Sequence, residues 1–295
     1  MVHRSLFLIV AGTAVSLAGA ASLGAQARER VAFVSVVERA TGAPKTDLTA
    51  SDIVIREDSV TREVLRVTRA TGAMPIAVLV DTSEAAEAAI PDMRAALTAF
   101  VAALGDTGPV SLIGFGERPT LITDYTTNPA TLAAGIGRVF SRPLSGATLL
   151  EGVFETATGL ARRESERAAI VVLSANGPEM STLHHLRVAE RLQDSGASFH
   201  TVVLSPPGRL SLSDTARQRD LLLDRGVRIT GGLRRDVLAS MAFTAAMTDL
   251  ARLLTHQFRV VYARPQTLIP PDSFAVTATS PGLTAYGGVA RGQPK

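Results

Sequence analysis

Residues 76–80 and 169–173 are runs of five apolar residues with no polar alternation. A strand buried on both faces reads this way, as in the middle of a parallel sheet covered by helices. After the first run the period becomes helical. Residues 91–104 bring Met93, Leu97, Phe100, Val101 and Leu104 to one face, and Gly105 ends the segment. The same spacing predicts helices over 129–140, 148–162, 183–194, 214–224 and 236–255, with Gly196 stopping the third of these. Strands are expected at 110–115, 199–204 and 227–229, and 120–123 closes a hairpin onto 110–115 across Glu117, Arg118 and Pro119. Strand and helix in alternation predict an α/β fold over residues 73–255: a doubly wound, mostly parallel, Rossmann-like sheet.

Both flanks return to strand. Residues 31–37, 53–55 and 64–67 precede the α/β stretch, the last two expected to pair across the polar turn at 57–59. Residues 258–262 and 274–278 follow it. A β unit this small does not stand alone. The two ends, 28–72 and 256–286, are therefore expected to pair into one flanking β unit, leaving 287–295 as a disordered tail. Residues 1–27 have the form of a secretory leader. His3 and Arg4 open it, an apolar run covers 6–21, and Ala25, Gln26 and Ala27 make a small-x-small cleavage site. An exported chain with no stable membrane span after cleavage is the expectation.

Composition removes several classes of chemistry. There is no cysteine, so disulfides, thiolate metal sites, a cysteine nucleophile and a lipid anchor on cysteine are excluded. A net charge of +3 on 295 residues gives no reason to propose nucleic acid as a partner. No Gly-x-Ser-x-Gly elbow, Walker loop or Gly-x-Gly-x-x-Gly after a strand is present. His184 and His185 are adjacent and expected to point apart on a helix, so they are not read as a shared metal site.

The candidate chemistry follows the apolar strands. Asp81, Thr82 and Ser83 end the first one, at the sheet edge where open α/β folds bind ligands. Asp81-x-Ser83-x-Ala85 resembles the opening of a von Willebrand factor type A domain and its metal-ion-dependent adhesion site, which has a second serine where Ala85 stands. Thr148, after Ser145, Gly146 and Ala147, matches the threonine of that family's second loop. The third loop reads Leu173, Ser174, Ala175, Asn176, Gly177, without the family's acid, whose place falls at 175 or 176. Residues 48–58, 230–232 and 257–262 are similar to flanking segments of a group of exported bacterial members.

The resemblance implies a magnesium site of Asp81, Ser83 and Thr148 that has lost two ligands. Magnesium demands near-octahedral oxygen coordination, so no cofactor is expected, with magnesium as the alternative. Asn176 and an inward-bent Glu179 are the oxygens that could compensate. Without a cation, Asp81 and Ser83 would cap the helix that follows and Thr148 its own. The function implied is a non-catalytic, exported module that binds a protein partner or envelope component through Asp81, Ser83, Ala85, Thr148 and Asn176. Two other readings stand beside it: a hydrolase-type enzyme using Asp81 with Ser83 or Thr148, and a purely structural envelope protein.

Overall fold

The computed structural model describes residues 27–163, 165–205, 213–265, 271 and 273–291. The expected leader lies outside these residues except for Ala27, which opens the first strand. Strand β1 (Ala27–Glu38) is followed by β2 (Ile53–Glu57), β3 (Val60–Arg62) and β4 (Val64–Arg69). The α/β body then runs β5 (Ile76–Val80), α1 (Ile90–Leu104), β6 (Val110–Gly114), β7 (Thr120–Thr126), α2 (Pro129–Gly137), α3 (Leu149–Ala161), β8 (Ala168–Ser174), α4 (His185–Ser195), β9 (Ala197–Leu204), α5 (Asp214–Thr230), β10 (Arg234–Val237) and α6 (Phe243–Thr255). Strands β11 (Phe258–Pro265), β12 (Phe274–Ala278) and β13 (Leu283–Val289) close the chain.

The central sheet has the order β10-β9-β8-β5-β6-β7. Every neighbouring pair is parallel except the β6–β7 hairpin. β5 and β8 are buried along their whole length, which is why their sequences carry no polar alternation. Side chains of α1, α2 and α6 cover one face and those of α3, α4 and α5 the other. Helix ends follow local chemistry. Asn128 caps α2 by accepting from the backbone N–H of Ala130 and Thr131, with Pro129 in the first turn. Gly196 and Gly231 end α4 and α5 in the left-handed conformation.

The two chain ends pair as the flanking patterns predicted. β13-β1-β11-β4 form one antiparallel sheet and β12-β2-β3 another. The two sheets share a core that includes Val34, Val36, Ile53, Ile55, Val260 and Tyr262. Inside it, the buried Glu57 accepts from Tyr262 Oη at 2.9 Å and Arg62 Nε at 3.0 Å.

Four local expectations are corrected. Residues 53–55 do not pair with 64–67; Asp58 and Ser59, both at positive φ, make a two-residue turn that folds β3 back on β2. Residues 227–229 are not a strand but the last turns of α5, whose buried face continues through Gly226 to Thr230. The strand lies at 234–237, inside the stretch expected to be helix, and α6 begins only at Phe243. Its sequence is polar because β10 is a sheet edge. Residues 287–289 belong to β13 and are not part of a disordered tail. A Cβ on Gly287 would sit 2.5 Å from the Phe33 carbonyl oxygen, so the glycines there serve close backbone approach. Residues 292–295 lie outside the described ones.

Candidate functional site at the carboxyl edge of the sheet

From β5 the chain passes to β6 on one side, and later to β8 on the other. That reversal opens a crevice at the carboxyl ends of β5, β6 and β8, the position where such sheets hold their ligands. Asp81 fills it. Its carboxylate is fully buried and accepts four hydrogen bonds. Oδ1 takes Ser83 Oγ at 2.6 Å and Ser83 N at 3.0 Å. Oδ2 takes Ala175 N at 3.0 Å and Ser174 Oγ at 3.1 Å. The acid thereby ties the first loop to the third through fixed N–H and O–H donors.

The second loop is held just as firmly. Thr148 donates its backbone N–H (2.7 Å) and its hydroxyl (3.1 Å) to the Phe115 carbonyl. Ala147 exchanges backbone hydrogen bonds with the 178–180 segment, and Glu84 N donates to the Ser145 carbonyl. Gly116 N donates to Thr82 Oγ1 at 2.8 Å. The third loop is pressed down onto the first. An ideal Cβ on Gly177 would lie 2.3 Å from Ala85 Cβ, and the buried Arg219 donates to the Gly177 carbonyl at 2.7 Å. The three loops form one stitched surface.

The family model for the von Willebrand factor type A domain matches residues 76–178, the stretch that contains all three loops. These residues are a von Willebrand factor type A domain. The solved von Willebrand factor type A structure from Catenulispora acidiphila is 10% identical, with a TM-score of 0.52 over 91% of this chain and 64% of that one. Proximal thread matrix protein 1 of the mussel byssus is 15% identical, with a TM-score of 0.53 over 68% of this chain and 51% of that one. At such identities the likeness is one of fold. Comparison with curated proteins gives no match.

Within the type A domain, Asp81, Ser83, Thr148 and Asn176 stand on the three loops as expected, with Ala85 beneath Gly177. Their capping role is corrected. Ser83 and Thr148 occupy N-cap positions, but neither side chain caps its helix, because Asp81 and the Phe115 carbonyl engage the two hydroxyls. Two residues of the third loop cap α3 instead. Glu179 Oε1 accepts from Leu149 N at 3.0 Å, and Ser181 Oγ from Leu150 N at 3.0 Å. Burial raises the Glu179 carboxyl to about 7, against the opposing pull of Ser181 and Arg219. Its Oε2 has no hydrogen-bond partner among the described residues. Ser181, two residues on, also donates its hydroxyl and backbone N–H to Oε1; in sequence Glu179 stands only as a side chain that could bend inward, because the α3 amide it caps lies thirty residues away.

His184 and His185 do not point apart: their rings lie 4.5 Å from each other, because His184 is the N-cap of α4 and not part of its helix. Among the described residues no three His, Asp or Glu side chains gather as a metal site would require. The Asn176 backbone is left-handed, at φ 59°. Beside the exposed charges of Glu84, Glu117 and Arg118, these loops hold two large apolar side chains out to solvent. Leu144, also left-handed at φ 59°, is 95% exposed and Met180 62% exposed. Met180 lies over Gly146, where a Cβ would meet its Cγ at 2.3 Å.

Proposed function

We propose that this protein is an exported, non-catalytic binding module that docks a protein or envelope component on the carboxyl edge of its type A domain, without a divalent cation. The observation that carries this reading is the pair Leu144 and Met180, two large apolar side chains held out to solvent on the loops that enclose Asp81. A leucine that is almost wholly exposed, on a backbone conformation costly for a branched side chain, gains most when a partner covers it. Burying it contributes on the order of 2 kcal/mol.

The donor set supports metal independence. Both Asp81 oxygens already accept two hydrogen bonds each, Ala85 offers no oxygen, positions 175 and 176 carry no acid to supply a second charge beside Asp81, and Glu179, the next acid, is engaged in capping α3. These residues do not fit magnesium. The burial of Asp81 and Ser83 also argues against a hydrolase, because a substrate would have to reach a nucleophile at the floor of a closed crevice. Export rests on the leader-like sequence at 1–27, and the mussel protein, a thread matrix protein of the byssus by name, has the same fold.

The test is affinity capture of envelope proteins with the wild-type chain and with Leu144→Asp/Met180→Asp, each in EDTA and in magnesium. The wild type is expected to retain the same partner in both buffers and the double variant to lose it. Capture that needs magnesium, or that survives the double substitution, contradicts the reading.

A further inference from the structure

At the opposite edge of the sheet, where β9 begins, the type A domain meets the flanking β unit around a cavity of about 360 Å³. This is the size of a small-molecule site. Phe33 of β1, Leu192 of α4, Leu253 of α6 and Phe274 of β12 give it apolar walls. Its ionisable lining has one sign: Arg167, Arg225, Arg228 and His200 border it, and no carboxylate does among the described residues.

Two of these groups are buried and incompletely matched. His200 is 1% exposed. Its Nδ1 accepts the backbone N–H of Leu233 at 3.0 Å, which assigns the proton of the neutral ring to Nε2. That Nε2 has no partner among the described residues. Burial holds the ring neutral, with its pKa lowered to about 3. Arg167, also buried, donates to the Gly72 carbonyl and the Gln257 side-chain oxygen, both neutral acceptors. A buried cation with neutral acceptors gains when an anion joins it, whereas the enclosed His200 ring borders the cavity and reports on its occupancy. Arg225 and Arg228 are exposed and three residues apart on α5, so they share one helix face at the mouth.

We propose that this cavity binds a small amphipathic carboxylate, its apolar body between Phe33, Leu192, Leu253 and Phe274 and its acid group among Arg167, Arg225 and Arg228. The apolar walls supply affinity and the arginines select the acid. The site is separate from the loops around Asp81, and its occupancy does not depend on the partner bound there.

Decanoate is the probe, titrated calorimetrically into the full exported chain, with decan-1-ol as the uncharged comparison and Arg225→Glu/Arg228→Glu as a surface variant that leaves the core intact. The expected result is one site per chain with micromolar Kd, a shifted His200 Nε2–H resonance, and weaker binding of decanol. The double charge reversal is expected to weaken decanoate roughly tenfold. Three outcomes overturn the proposal: no binding at millimolar decanoate, decanol binding as tightly as decanoate, or binding that leaves the His200 resonance and the charge-reversed variant unaffected.

Discussion

Glu179 carries a titration into the centre of the domain. Its carboxyl is raised to about 7 in the folded chain by burial, above the 4.5 of an unperturbed group. The folded state therefore binds the proton more tightly than the unfolded state. The stabilisation is fully present below pH 4.5 and is lost as pH rises through about 7, a change on the order of 3 kcal/mol. Glu179→Gln, a neutral isostere of the protonated acid, should match the wild type at pH 4.5 and exceed it at pH 8 in urea unfolding. Parallel pH curves for the two proteins would count against the assignment, with Arg219 the cation that moderates the shift. A second residue-scale prediction separates the neighbours at the third loop. Ala175 is buried in the core that holds Val80 and Leu173, whereas Asn176 is part-exposed and left-handed. Ala175→Asp should destabilise by about 3 kcal/mol or more, because a carboxylate enters an apolar core. Asn176→Asp should cost less, about 1–2 kcal/mol, since Asp tolerates that conformation although the side-chain oxygen at 176 is enclosed without a partner among the described residues. Equal losses in a denaturant titration would refute the distinction. The motif placed Asp81, Ser83 and Thr148 on the right loops. It left 175 and 176 undecided because the choice depends on which way the backbone turns after β8, a property of φ and not of residue type.

Among the elements, the buried strands were readable because burial on both faces imposes an uninterrupted apolar run. The edges were not. β10 pairs only with β9 and carries Arg234, Arg235 and Asp236, so its composition looks like the surface of a helix. β13 contains Gly287 and Gly288, whose flexibility mimics disorder in sequence, although the folded chain uses them where backbones touch. The same close approach marks the end of α5. Gly231 sits at φ 65°, and a Cβ there would fall on the Gly287 carbonyl oxygen. Gly231→Ala should therefore cost about 2 kcal/mol or more, through both the left-handed backbone and the clash. Hydrogen exchange should show the loss first in β13. A substitution that leaves stability and β13 protection unchanged would mean that α5 does not pack against that strand.

On the scale of the molecule, strands from both chain ends close one β unit beneath an inserted type A domain, and the sheet thus has two unlike edges. The flanking strand patterns made this arrangement legible, because apolar strands at both ends need partners and only each other were available. The character of the upper edge was legible only in part. Sequence marked Ala85 and the pair Ala175 and Asn176 as departures from the resembled motif, while the hydrogen bonds around Asp81 depend on three loops meeting in space. On the proposed reading, these bonds make the upper edge independent of a divalent cation. Thermal unfolding of the chain in EDTA and in millimolar magnesium or manganese distinguishes the two cases. The expected result is the same Tm in every buffer. A cation bound at a hundred times its Kd would add about 2.7 kcal/mol, so a clear upward shift that disappears in Asp81→Ala would contradict the claim.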